Sequence, residues 1–294
     1  MTDFIASLIQ RNCTASRKDN LSATIEDIKK AAKDGAKLII LSELHTSLYF
    51  CQQEDRDFFT LAETIPGPTT KELSQHARDL GIVIITSLFE KRGAGLYHNT
   101  AVVIDNDGII AGIYRKMHIP DDPGYYEKYY FTPGDLGFNP VNTSLGKIGL
   151  MVCWDQWFPE AARLMALAGA EILVYPTAIG WDPNDSNDEK QKQLDAWLTI
   201  QRSHAIANSI PLICCNRYGF EADPSDNTEG IQFWGNSFIC GPQGEYLATA
   251  PDNENAIIAT EIDLSLNEKI RQQWPFLRDR RIDYYDELTR RFRN

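Results

Sequence analysis

The chain has 294 residues, 43% hydrophobic and 24% charged, a composition that supports a substantial folded core and excludes disordered and fibrous architectures. Acidic residues outnumber basic ones by 41 to 29, a formal net charge of −12, which disfavours nucleic acid and anionic membrane as partners and favours cationic solutes. The longest apolar runs, such as Leu38-Ile39-Ile40-Leu41 and Ile82-Val83-Ile84-Ile85, fall far short of the ~18 residues needed to cross a bilayer. Met1 to Gln10 has no basic region and carries Asp3, so it does not read as a secretory signal and a cytoplasmic location is expected. The six cysteines include no C-x-x-C pair; free thiols are expected, not a disulfide scaffold or a zinc site.

In chain order, Phe4 to Ile9 and Lys37 to Leu41 read as buried strands. Between them Leu21, Ile25, Ile28 and Ala32 recur at helical spacing until Gly35 ends the helix, a β-α-β unit. A second helix presents Leu73, Ala77 and Leu80 and stops at Gly81. The strands Ile82 to Leu88, His98 to Ile104 and Ile109 to Arg115 follow, the last two joined by an Asn106-Asp107-Gly108 turn. The second half repeats the order: strand Lys147 to Cys153, helix Pro159 to Ala168, strand Glu171 to Tyr175, helix Gln191 to Asn208 and strand Ile210 to Asn216. Strands Gly235 to Cys240, Glu245 to Ala250 and Ala256 to Glu261 complete it. The shared order predicts one α/β domain over 1–294, built as a four-layer α-β-β-α sandwich of two similar half-sheets under outer helices.

Thr46 to Thr64, Ile119 to Asn139 and the acidic Ile179 to Glu189 interrupt this plan, and long irregular segments in a compact domain commonly carry function. From about residue 278 a basic arm, with six arginines and four acids to residue 294, departs from the acidic body. It reads either as an arm packing on an acidic surface or as a solvated terminal helix.

Ligands of open α/β sheets bind beyond the carboxyl ends of strands, and three strand ends carry reactive side chains: Glu43, Lys116 and Cys153. Cys153 opens a strand-to-helix turn, Cys-Trp-Asp-Gln-Trp-Phe-Pro-Glu, with Pro159 suited to the first helical turn. Such a turn exposes a side chain beside backbone N–H groups that can bind an oxyanion. A thiol needs a neighbouring base or cation to become a nucleophile, and Glu43 and Lys116 supply both. Singly, each has a duller reading as a buried thiol, a cap or a solvated lysine.

Leu41-Ser42-Glu43-Leu44, Tyr114-Arg115-Lys116-Met117-His118-Ile119-Pro120 and Gly149-Leu150-Met151-Val152-Cys153-Trp154-Asp155, in that order, resemble the nitrilase superfamily of carbon–nitrogen hydrolases. The resemblance runs from Phe4 to about Asp279. It implies the four-layer sandwich and a Glu43, Lys116, Cys153 triad, with Glu127 as a second glutamate. It also implies amide hydrolysis through a thioester-type intermediate, with the oxyanion held by Lys116 and the Trp154 N–H, and no metal or organic cofactor. Within the family, the segments Cys153 to Glu160 and Tyr175 to Trp181 look most like enzymes acting on N-carbamoylputrescine, yielding putrescine, carbon dioxide and ammonia. A β-ureidopropionase-like hydrolase and a catalytically idle binding or assembly module remain the alternatives.

Relatives that bind a substrate carboxylate carry basic groups shortly after the cysteine, where this chain has Asp155, Gln156 and Trp157. Asp121, Asp122, Asp155 and Asp182, with Tyr125, Tyr126, Trp154 and Trp181, form the expected rim for a small carbamoylated amine. Asp182-Pro183-Asn184-Asp185 also reads as a turn. His118 is expected either to touch the carbamoyl group or to hold its loop, and His45, His76, His98 and His204 are expected to be structural. Homo-oligomers built from dimers are what the resemblance implies for assembly.

Overall fold

The computed structural model describes residues 3–225 and 228–293. Its first half comprises β1 (Asp3–Gln10), α1 (Arg17–Lys33), β2 (Ala36–Leu41), α2 (Pro68–Leu80), β3 (Val83–Gly93), β4 (Leu96–Ile104) and β5 (Ile110–Arg115). Ser16 caps α1 by accepting from the Asp19 N–H, and Gly81 ends α2 at φ 62°, the left-handed conformation glycine tolerates best. After the short α3 (Glu127–Tyr130) come β6 (Val141–Thr143), β7 (Gly146–Leu150), α4 (Pro159–Leu167), β8 (Ile172–Pro176), β9 (Gly180–Trp181), α5 (Asn187–Asn208) and β10 (Leu212–Cys215). The chain closes with β11 (Tyr218–Ala222), β12 (Gly230–Trp234), β13 (Phe238–Cys240), β14 (Tyr246–Thr249), β15 (Ala256–Asp263) and α6 (Ser265–Gln273).

Two six-stranded sheets, ordered β15-β1-β2-β3-β4-β5 and β14-β13-β10-β8-β7-β6, face each other. Alternation along the strands explains the layering. In β2, Leu38 and Ile40 join the core between the sheets while Ile39 and Leu41 pack under α1 and α2; Val83 and Ile85 against Ile84 repeat this in β3. A strand covered on both faces reads as a continuous apolar run, which is why these segments were legible. On the other side Ala161, Ala162 and Met165 of α4 and Trp197 and Ala205 of α5 cover the second sheet, completing the α-β-β-α sandwich.

The structure corrects several expectations. Residues 256–261 do not extend the second sheet: β15 pairs antiparallel with β1, from Asp3 opposite Asp263 to Gln10 opposite Ala256, and so belongs to the first. A third sheet, β11-β12-β9, has no counterpart in the sequence reading. The Ile119 to Asn139 segment contains α3, and α5 begins at Asn187 rather than Gln191. The strand leading to Cys153 ends at Leu150. In the arm from 278, residues form only the single turns Ile282–Tyr284 and Asp286–Thr289 and are mostly exposed; the helical reading fails there. No helix among the described residues is long and apolar enough to cross a membrane.

Candidate active site

Glu43 lies just past β2, Lys116 just past β5 and Cys153 past β7, so the sandwich brings three strand ends to one place. The Glu43 N–H donates to the Thr177 carbonyl at 3.2 Å, tying the end of β2 to the end of β8 in the opposite sheet. Leu44, at φ 49°, turns the chain out of the strand. Lys116 donates its N–H to the Asn99 carbonyl (2.9 Å), and its own carbonyl accepts from Gly134 N–H at 2.8 Å. A Cβ at Gly134 would stand 2.0 Å from the Arg115 carbonyl oxygen, so only glycine lets the loop approach the lysine's backbone this closely.

The side chains of Glu43, Lys116 and Glu127 are fully buried. Lys116 Nζ donates to Glu43 Oε1 at 2.9 Å and to both Glu127 oxygens at 2.8 and 2.6 Å. Asn99 Nδ2 also donates to Glu43 Oε1 (2.6 Å), while Glu43 Oε2 has no hydrogen-bond partner. A buried acceptor left open in this way is costly and marks the atom available for proton transfer. Tyr49 donates its hydroxyl to Glu127 Oε1 at 2.6 Å. Burial and the nearby Glu43 charge raise Glu127 to about 7, against the pull of Lys116 and Tyr49.

Cys153 sits at φ 44° and opens the 3₁₀ turn Cys153–Trp157. Its Sγ faces the Ala178 carbonyl at 3.7 Å. Burial, then Glu43, push the thiol well above its ordinary range, with Lys116 opposing them. It is therefore a protonated thiol at rest and requires a base for attack. The first N–H groups of a 3₁₀ turn have no partner within it, and the Trp154 N–H belongs to the opening of that turn.

The expected rim is only partly assembled. Cys153 and Glu127 line a cavity of about 380 Å³, walled by Tyr125, Trp154, Trp157 and Trp234 and bordered by Asp122. Asp155 is not at this rim. It is fully buried, and its oxygens accept from Tyr114 Oη (2.9 Å), Val152 N–H (3.0 Å), His118 N–H (3.1 Å) and His118 Nδ1 (2.7 Å). These bonds hold the turn that presents Cys153. His118, tied to Asp155 and stacked on Phe158 at 3.7 Å, holds that loop and does not line the cavity. Trp181 donates Nε1 to the Lys190 carbonyl at 2.9 Å, and Asp182 accepts from Asn184 N–H in a turn; neither lines the cavity, and nor does Tyr126.

Sequence reasoning missed Asn99, Tyr49, Trp157 and Trp234 as site residues. Asn99 looked like an ordinary strand residue: it stands between His98 and Thr100, ahead of the apolar Ala101 to Ile104, and nothing in the sequence singled it out. His45, His98 and His204 are buried with structural partners, Thr86 Oγ1, the Thr132 carbonyl and the Gln156 carbonyl. Among the described residues no group of three His, Cys, Asp or Glu side chains could hold a metal ion.

Residues 5–272 match the carbon-nitrogen hydrolase family model. The chain belongs to this family. An N-carbamoylputrescine amidase of Arabidopsis thaliana is 43% identical over 97% of this chain and 95% of its own. A citrullinase of Francisella tularensis is 41% identical over 99% and 100%. The crystal structure of a carbon-nitrogen hydrolase from Helicobacter pylori G27 superposes with a TM-score of 0.96, at 54% identity, covering 99% of this chain and 100% of that one. The carbon–nitrogen hydrolase reading, an amide-cleaving enzyme, therefore stands on both sequence and fold.

Proposed function

We propose that this hydrolase cleaves the ureido group of N-carbamoylputrescine, yielding putrescine, carbon dioxide and ammonia. The carrying observation is the cavity wall. It offers aromatic faces and Asp122, and no Arg, Lys or His is among the described residues that line it; Lys116, behind the lining Glu127, has its donors committed to Glu43 and Glu127. Citrulline and N-carbamoyl-β-alanine bring a carboxylate that would need such a group. An alkylammonium needs an acid and aromatic cover for its methylenes, which this wall provides.

The chemistry follows from the four side chains. Cys153 Sγ attacks the carbonyl carbon while Glu43 Oε2 takes the thiol proton. Lys116 Nζ and the Trp154 N–H stabilise the oxyanion. At rest the lysine's three donors are committed to Glu43 and Glu127, so its contribution requires the bidentate Glu127 contact to relax to one oxygen. The tetrahedral intermediate collapses as the C–N bond breaks, and Glu43 returns the proton to the departing nitrogen. Water then gives a proton to Glu43 and attacks the acyl carbon, and the C–S bond breaks with reprotonation of the sulfur. The carbamate released by either order of departure loses carbon dioxide. Glu127 orients Lys116, and through it Glu43.

A kinetic comparison of N-carbamoylputrescine, citrulline and N-carbamoyl-β-alanine tests the assignment. The amine should have the highest kcat/KM; faster turnover of either carboxylate would overturn the substrate assignment. Cys153→Ala and Cys153→Ser should abolish turnover while remaining folded, and unchanged activity in both would remove the cysteine mechanism. We also propose a homo-oligomer built from dimers, in keeping with an arm whose Ile282, Tyr284, Leu288 and Phe292 are 65–80% exposed; light scattering on the purified protein tests it.

A further inference from the structure

Arg217, between β10 and β11, is a fully buried arginine on which the mechanism above does not call. Its Nη2 donates to two successive carbonyls, Glu43 at 2.7 Å and Leu44 at 3.1 Å. Nη1 donates to the Ser47 carbonyl at 3.2 Å and to Glu221 Oε1 at 2.8 Å. The other Glu221 oxygen accepts the Tyr49 N–H at 2.6 Å, and Tyr49 ends on Glu127. The guanidinium lies over the Phe233 ring at 5.2 Å and the Tyr49 ring at 5.9 Å. One ion pair thus spans the arch 43–49, whose first residue is one active-site carboxylate and whose last holds the other.

We propose that the Arg217–Glu221 pair is a positioning device that sets both active-site carboxylates, Glu43 through its main chain and Glu127 through Tyr49. The inference rests on the base role assigned to Glu43 above. Two physical points support it. Leu44 keeps a left-handed backbone that a branched side chain disfavours, and the carbonyl bond to Arg217 pins that conformation where Glu43 must leave the strand. Replacing a buried ion pair with apolar side chains is often neutral or stabilising, so stability alone is a weak reason to keep it. The fork of donors is also what the site uses: lysine has the charge but not the planar geometry that reaches three carbonyls and a carboxylate together.

The test compares the full-length wild type with Arg217→Lys, Glu221→Gln and Tyr49→Phe. Turnover is one readout. The second is the rate at which iodoacetamide alkylates Cys153, followed by peptide mass spectrometry without substrate, so a wrong substrate assignment leaves it intact. Thermal melting confirms the fold. A displacement of about 1 Å can cost ~10²-fold in rate. Arg217→Lys should therefore lower kcat by ~10–10²-fold and change the alkylation rate by more than about twofold, with KM within about twofold. Tyr49→Phe removes a hydrogen bond to the charged form of Glu127, so the acid limb of its kcat profile should move to higher pH. A folded Arg217→Lys enzyme with both rates within about twofold of wild type overturns the proposal. If that variant does not fold, Glu221→Gln is read by the same criteria; failure of both to fold would make the pair purely structural and equally overturn it. Alkylation of wild type at a position other than Cys153 would instead refute the underlying catalytic reading.

Discussion

Glu43→Gln separates the proposed base from the scaffold around it. The glutamine carbonyl can replace Oε1 and keep the bonds from Asn99 Nδ2 (2.6 Å) and Lys116 Nζ (2.9 Å). Its NH₂ then falls where the unpartnered Oε2 stood and is unable to take a proton. Lys116 keeps its two bonds to Glu127, so no cation is stranded. The cost is the charged share of one hydrogen bond, about 1–2 kcal/mol, or a melting shift of roughly 2–8 °C in a chain of this size. Turnover should fall by ~10²–10⁴, the usual worth of a positioned general base.

The thiol should respond in the opposite sense. Glu43 is the largest charge pushing Cys153 upward after burial itself. Removing it should lower the midpoint of Cys153 alkylation. The assay is the pH dependence of iodoacetamide labelling beside steady-state turnover of N-carbamoylputrescine. A slower enzyme with a more acidic thiol is the expected signature; turnover within about tenfold of wild type, or a midpoint that rises, refutes the reasoning.

Three further expectations follow from the same contacts. Glu127 keeps its proton to about 7 against an ordinary 4.5. Because its folded value is the raised one, its contribution to stability is full below 4.5 and is lost as the pH climbs through 7, about 3 kcal/mol at 1.36 kcal/mol per pH unit. Glu127→Gln should remove that slope, and equal pH dependence of urea unfolding in the two proteins would count against it. Asp155→Ala strands the Val152 and His118 N–H groups and the Tyr114 hydroxyl. At about 1–3 kcal/mol for each unmet buried donor, it should melt far below wild type and label poorly at Cys153, whereas Asp155→Asn recovers part of both; a melting point within a few degrees for the alanine variant would exclude the capping role. Asp122→Asn should raise KM for N-carbamoylputrescine by up to ~5-fold, the worth of one exposed charge pair, with kcat unchanged; an unaltered KM would remove Asp122 from ammonium binding.

What the residues alone determined is the part governed by local periodicity and by strand ends. The apolar runs of β1 to β4 announced a sheet covered on both faces, Gly81 marked a helix end, and Glu43, Lys116 and Cys153 could be singled out because reactive side chains stood just after strands. Tertiary structure decided everything that depends on long-range pairing. β15 crosses to β1, more than 240 residues away in the chain, because an antiparallel edge can be filled by any strand of suitable pattern and local sequence does not say which. Asp155 illustrates the same limit within the site: an acid two residues after Cys153 is an attractive ligand group on paper, yet Tyr114 and His118, brought in from β5 and the loop after it, consume its oxygens. Asn99, Tyr49 and Arg217 were invisible for the converse reason, since a polar side chain acquires a role only when folding buries it beside a partner and leaves water unable to take that partner's place.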